Sequence, residues 1–353
     1  MPVKELEFLR FYPAEADENV WNEAINMSLV SFKENNPDDP APPPELIRKQ
    51  LSSLDENPFF IAELYLLKNA EEKLVGNLIM AFPRPDSPEY ESQKHMGIMQ
   101  VFVLPDCRKQ GIGRAALEKT VNVFHERGLS LIQGDTTRES GHAFAKRFGG
   151  EIAIEGRINR LYMKDVDWDL IERWSDESAN ANPGVVIETF EGLPDESEVE
   201  TYAKLLTEIA NQQPFEELEG VEMSMTPEKL RKVHEQQQER GDIHITQITR
   251  ESDGSISGLT EITYNPQRPH IIHQELTGVQ EKYRGRSLGK WLKASMLLYI
   301  RETYPDAEFI NTGNANSNAP MLSINERMGF KLYKHTAFYK LQVNETMKEL
   351  GLL

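Results

Sequence analysis

At 353 residues, 39% of them hydrophobic, the chain is long enough to bury two cores of ordinary size. Its 39 basic and 57 acidic residues leave a net charge of −18, a surface that repels nucleic acid and anionic membranes and removes both from the expected partners. One cysteine, Cys107, excludes an intrachain disulfide and a cysteine-built zinc site, and no metal is expected. No apolar run approaches ~18 residues and MPVKELEFLRFYP has no signal core, so a cytoplasmic protein is the expectation.

In chain order, Val3–Phe11 predicts a strand, Ala14–Asn35 a helix, Asn36–Pro44 a proline-rich loop and Glu45–Leu54 a short helix. Strands follow at Phe59–Leu67, Lys73–Phe82 and His95–Leu104. A long helix then runs to about Arg127, with a strand at Ser130–Asp135, a helix near His142–Phe148 and strands through Tyr162. The polar stretch Asp165–Gly184 reads as a linker with one helix at Asp167–Glu177. The same order then recurs. Strand Val185–Phe190 and helices Glu196–Gln212 and Pro227–Arg240 precede strands Ile243–Thr249, Ser257–Tyr264 and His270–Val279. Helix Gly285–Glu302, strand Glu308–Thr312, helix Asn318–Met328 and strands Phe330–His335 and Ala337–Val343 complete it. Two α/β (α+β) domains are therefore expected, each a mixed, mostly antiparallel sheet flanked by helices, at 1–164 and 185–353 with a linker at 165–184.

The repeat is sharpest where an apolar strand runs through a basic, glycine-bearing turn into a long helix. Setting Arg108 on Arg284 puts Val103 on Val279, Gly111 on Ser287 and Gly113 on Gly289. A helix N-terminus offers unpaired N–H groups and the positive end of its dipole, and glycines admit a close anion, so each turn reads as a pyrophosphate cradle. Its candidate residues are Arg108, Gly111, Gly113 and Arg114 in the first copy, and Arg284, Gly285, Ser287, Gly289 and Lys290 in the second. Neither a P-loop sequence nor an early dinucleotide-binding fingerprint is present. On the strand before the second cradle, alternation puts His273, Glu275, Thr277 and Val279 on one face. Glu275 is the candidate base there, against Met99 in the first copy. His270 and His273 fall on opposite faces and make no zinc pair.

Val101–Gly113, reading VFVLPDCRKQGIG, resembles the acetyl-CoA-binding motif R/Q-x-x-G-x-G/A of the GCN5-related N-acetyltransferase (GNAT) superfamily. The second copy is similar, with Ser287 at a glycine position, and adds Asn318-x-x-Met321-x-x-x-Asn325-x-x-x-Gly329-Phe330, which resembles the superfamily's later motif. The tandem arrangement is similar to that of mycothiol synthase. The resemblance implies two GNAT-like folds with acetyl-CoA as cosubstrate. Backbone amides near Val103 or Val279 would polarise the thioester, and Asn318 would help hold coenzyme A. It implies direct attack by the amine of a small-molecule or peptide acceptor. The superfamily's tyrosine acid has Asn325 and Ala145 in its place; Tyr333 and Tyr339 lie nearby as substitutes, and Tyr339 is the candidate. The second half is favoured for catalysis. The alternative is a coenzyme-A-binding sensor or scaffold without turnover.

Overall fold

The computed structural model describes residues 6–220 and 222–353, so Val3–Glu5 of the first predicted strand lie outside the described residues. Its elements begin with β1 (Glu7–Arg10), α1 (Glu18–Asn35), α2 (Pro44–Ser52), β2 (Phe60–Lys68), β3 (Leu74–Pro83), α3 (Tyr90–Gln93), β4 (Met96–Val103), α4 (Ile112–Glu126), β5 (Leu131–Thr136), α5 (Glu139–Arg147), β6 (Glu151–Tyr162) and α6 (Trp168–Ala181). The series repeats with β7 (Val186–Glu191), α7 (Val199–Asn211), α8 (Pro227–Arg240), β8 (Ile243–Arg250), β9 (Ile256–Tyr264), β10 (Ile271–Val279), α9 (Leu288–Thr303), β11 (Phe309–Ala315), α10 (Ala319–Met328), β12 (Lys331–Gln342) and α11 (Val343–Leu350).

Two compact units form, and neither is contiguous in sequence. Unit 1 holds Met1–Glu155, Glu216–Val221 and Thr336–Leu353; unit 2 holds Gly156–Phe215 and Glu222–His335. In unit 1 the strand order is β1-β2-β3-β4-β5, closed by Ala337–Gln342 of β12 lying antiparallel on β5. In unit 2, Gly156–Tyr162 of β6 lies antiparallel on β11, followed by β10, β9, β8 and β7. All pairings given for the described strands are antiparallel except β4–β5 and β10–β11. The stretch expected to be a linker is instead part of unit 2. There α6 buries Ile171 and Trp174 in the unit's core, because an apolar stripe on a helix must find a partner surface.

Each core lies between its sheet and its long helix. On α4, Ile112, Ala116, Leu117, Thr120, Val121 and Phe124 recur at helical spacing and are buried. Phe124 alone is worth roughly 1.5–3 kcal/mol by removal from water. It leaves no room on β4, where a Cβ on Gly97 would lie 2.4 Å from its ring. On α9, Trp291, Leu292, Ala294, Met296, Leu297 and Ile300 do the same for unit 2. Among the described residues no helix is long and apolar enough to cross a membrane.

The C-terminal segment supplies unit 1 with the strand that pairs with β5 and with Val343, Met347 and Leu350 of α11 in its core. Deleting Thr336–Leu353 is therefore expected to strip hydrogen-exchange protection from β5 and α4 while α9 keeps its own, which peptide-resolved exchange would read.

Candidate functional site

In both units the central parallel strand pair parts. β4 and β5 pair only over Met96–Ile98 with Leu131–Gln133. β10 and β11 pair only over Ile271–Gln274 with Phe309–Thr312. Beyond those points the facing edge of each strand has no strand partner among the described residues, and a cleft opens.

The unit 1 cleft has a volume of about 340 Å³, with Phe102, Leu117, Asp135, Arg138 and Tyr339 in its lining. β4 keeps regular pairing with β3 to its end, Gly76 facing Val103. At the cradle Gly111 caps α4 with φ 91°, a conformation that a side chain resists. The arginines here are already engaged. Arg108 makes two bonds of 2.6 Å to Glu34 and donates to the Val103 carbonyl at 3.0 Å. Arg114 bonds Glu118 and the Leu350 carbonyl. Arg138 lies over the Phe102 ring and donates to Asn35. Tyr339 is 2% exposed and shares a 2.9 Å hydrogen bond with His142. It belongs to this cleft, whereas Glu275 belongs to unit 2, so the expected base and acid do not meet in one site. The reason is the strand order: the second half of β12 closes the sheet of unit 1.

The unit 2 cleft, about 260 Å³, is lined by Gln213, Gln274, Glu275, Leu276, Thr277, Lys293, Thr312, Gly313, Asn314, Asn318 and Met321. Here β10 carries a bulge. Gln274 faces Ile262 but Thr277 faces Thr260, so one extra residue is inserted between them. Gln274 Nε2 and Thr277 Oγ1 both reach Thr260 Oγ1, at 3.0 and 2.7 Å. Thr277 thus shares the face of Gln274 instead of that of His273. The expected four-residue face is broken there, while Glu275 still lines the cleft.

A second cavity, about 270 Å³, shares Gln213, Glu275 and Leu276 with the cleft. Leu206, Met223, Met225 and Leu230 make it apolar; Tyr202, His244 and Glu261 give it a polar end. Tyr202 donates to Glu261 at 2.5 Å, and His244 Nε2 lies 3.3 Å from the same oxygen. Glu275 keeps an exposed side chain, yet desolvation by the protein around its carboxyl, and next the charge of Glu261, raise that group above the usual carboxylate range, with His244 partly opposing. Burial works to lower His244, but the hydrogen bond and charge of Glu261, then the charge of Glu275, outweigh it and leave the imidazole above its ordinary value.

At the second cradle Ser287 caps α9 with φ 61° and Gly285 has φ 81°. A Cβ on Gly289 would meet only Val279 Cγ2, at 3.8 Å, so the space above it is open. Arg284 donates to Gln212, Arg286 is held by Glu251 and Asn182, and Lys290 lies 3.9 Å from Glu177. Asn318 caps α10 through Met321 N at 3.4 Å and also lines the cleft. Asn325, fully buried, donates to Asn314 at 2.8 Å and leaves its own Oδ1 without a partner. Among the described residues no group of three or more His, Cys, Asp or Glu could hold a metal.

The sequence reading missed Lys293, Tyr202, His244 and Glu261. Lys293 did leave a signal. It interrupts the apolar face of α9, and the repeat sets it on Leu117. Buried to 2% exposure, its amine is held down to about 7 by desolvation. In an unfolded chain it would titrate near ~10.4. The folded state therefore bears the full cost below about pH 7 and none above ~10.4. Lys293→Leu is expected to raise stability by on the order of a few kcal/mol at pH 6, with the margin shrinking as pH rises from 7 to 10. Chemical denaturation across that range reads this.

Residues 21–149 match the family model of the acetyltransferase (GNAT) family. No curated protein matches the chain. Among solved structures it is similar to the tandem GNAT protein from the clavulanic acid biosynthesis pathway. That likeness has 20% identity and a TM-score of 0.75, covering 96% of this chain and 99% of that one. It is also similar to a GCN5-related N-acetyltransferase from Sphaerobacter thermophilus, with 13% identity, a TM-score of 0.64 and 96% of each chain covered. The double strand–cradle–helix arrangement is thus a tandem GNAT fold.

Proposed function

We propose, from the tandem GNAT fold and the family match over residues 21–149, that this chain moves an acetyl group from acetyl-CoA to a primary amine of a small molecule or peptide, and that unit 2 does the chemistry. The observation that carries this reading is Glu275. It stands at a β-bulge, on the seam shared by two adjoining cavities, with its affinity for a proton raised. One cavity takes the thioester and the other the acceptor. The fit to coenzyme A rests on the parted strands, the open space over Gly289 and the unpaired Asn325 oxygen.

In this mechanism the N-terminus of α9 and its basic residues receive the pyrophosphate. The unpaired edge of β10 beyond Gln274 presents backbone N–H groups to the thioester carbonyl, where charge develops as the amine adds. Holding both reactants in adjoining cavities replaces a chance encounter. Glu275 takes the proton that the amine loses, directly or through one water, and its raised proton affinity makes its carboxylate a stronger base than a free one. The apolar walls with Glu261 at the polar end suit an amine on a partly hydrophobic body. Unit 1 has Met99 where unit 2 has Glu275. For it we propose coenzyme A binding without turnover, or a purely structural part.

Glu275→Gln is expected to lower the maximal rate by roughly 10²–10⁴-fold with little change in coenzyme A affinity. Wild-type rate should fall as pH drops through the raised carboxyl value, and the Gln variant should lose that limb. An unchanged rate would assign the proton to water or another residue. Gly289→Glu, which puts a negative charge into open space, should abolish turnover, whereas Gly113→Glu should spare it; the reverse would move catalysis to unit 1.

A further inference from the structure

Lys293 lies on the second turn of α9, 2% exposed, and still lines the unit 2 cleft together with Glu275 and Asn318. Its ammonium has no hydrogen-bond or ion-pair partner among the described residues; its recorded neighbour is the Phe330 ring, 5.2 Å from Nζ. The pairing of Arg108 with Arg284 also sets Met99 on Glu275 and Leu117 on Lys293. Met99 and Leu117 both line the unit 1 cleft and are buried there. Two cleft positions, one on the strand and one on the helix, are thus apolar in unit 1 and ionisable in unit 2. Packing does not demand this, since leucine fills the helix position in unit 1. An unpaired buried amine costs stability, and that cost calls for a use.

We propose that Lys293 is the general acid of unit 2, giving its proton to the sulfur of coenzyme A as the thioester breaks. This rests on the reading of unit 2 as the acyl-transfer site. The balance is complete. The amine nitrogen bonds to the carbonyl carbon and loses a proton to Glu275. The C–S bond breaks with its electron pair going to sulfur, and sulfur takes the Lys293 proton. Amide and free thiol leave, and both side chains recover their protonation from solvent.

The surroundings suit that role. Among the described residues, Glu275 on β10 is the one other ionisable residue in the lining. The groups contributed by β11, α10 and the end of α7 are Thr312, Gly313, Asn314, Asn318, Met321 and Gln213. With burial holding the amine to about 7, roughly half the molecules carry the proton at neutral pH. A thiol titrates near ~8.5, so the transfer is downhill by roughly thirtyfold.

The test uses the full chain carrying Gly113→Glu, so that only unit 2 loads, with free coenzyme A as probe. Turnover of acetyl-CoA with a panel of primary amines is followed against pH, and coenzyme A binding is measured in parallel. With Lys293 present, kcat/KM should fall as pH rises above about 7, where the amine loses its proton. In Lys293→Leu, and in Lys293→Met should the leucine variant fail to fold, turnover should fall ~10–100-fold, with the KM for acetyl-CoA within about threefold and that falling limb gone. A falling limb that persists in these variants, coenzyme A being bound, overturns the assignment alone. An acetyl adduct on Lys293 by intact mass also overturns it, since the amine would then be an acceptor. No binding in the Gly113→Glu chain overturns the acyl-transfer reading of unit 2 and this proposal with it.

Discussion

Two parallel strands that part after a few pairs leave a row of backbone donors and acceptors with no strand to satisfy them. Buried backbone groups must be paired, so such an edge is stable only where water or a ligand reaches it. In unit 2 this constraint sits at Gln274, where pairing of β10 with β11 stops and an extra residue enters β10. The bulge keeps β10 bonded to β9 while turning Thr277 to the face of Gln274. The cleft, the placement of Glu275 in two cavities and the cradle at the start of α9 all follow from that parting. Unit 1 makes the same gap without a bulge.

The repeats then diverge in chemistry on a shared frame. At the two aligned cleft positions unit 1 has a methionine and a leucine, groups that lose nothing on leaving water. Unit 2 has Glu275 and Lys293, and desolvation drives both toward their neutral forms. That brings an acid-range group up and a base-range group down toward neutrality, the condition under which proton transfer is most effective. His244 in the adjoining cavity goes the other way: the Glu261 carboxylate on one ring nitrogen outweighs desolvation and favours the charged imidazolium.

Much of this was legible in the sequence, because it is local. The cradles are written in glycines, basic residues and the start of an apolar helix, and the two long helices are amphipathic at period 3.6. α11 was legible too, in the spacing of Val343, Met347 and Leu350, but was not drawn from it. The destination of β6 and β12 was not legible. Each is one continuous strand whose residues divide between the units, and nothing in an alternating pattern names its partner. That is why Tyr339 and Glu275 were expected in one site. The bulge was equally hidden, since an inserted residue looks like any other in a sequence. Alternation therefore placed Glu275 in the cleft but misplaced Thr277. Lys293 reads as one charge on an apolar helix until the fold shows that its turn lies against the opening between the strands.

The account's central claim is that acyl transfer takes place where β10 leaves β11. A crystal structure with acetyl-CoA tests it most directly. The account predicts the pyrophosphate at the start of α9, the thioester carbonyl bonded to a β10 backbone N–H beyond Gln274, and the sulfur beside Lys293. Coenzyme A held only in unit 1, with its thioester facing Tyr339 and His142 and the unit 2 cleft filled by water, would contradict it.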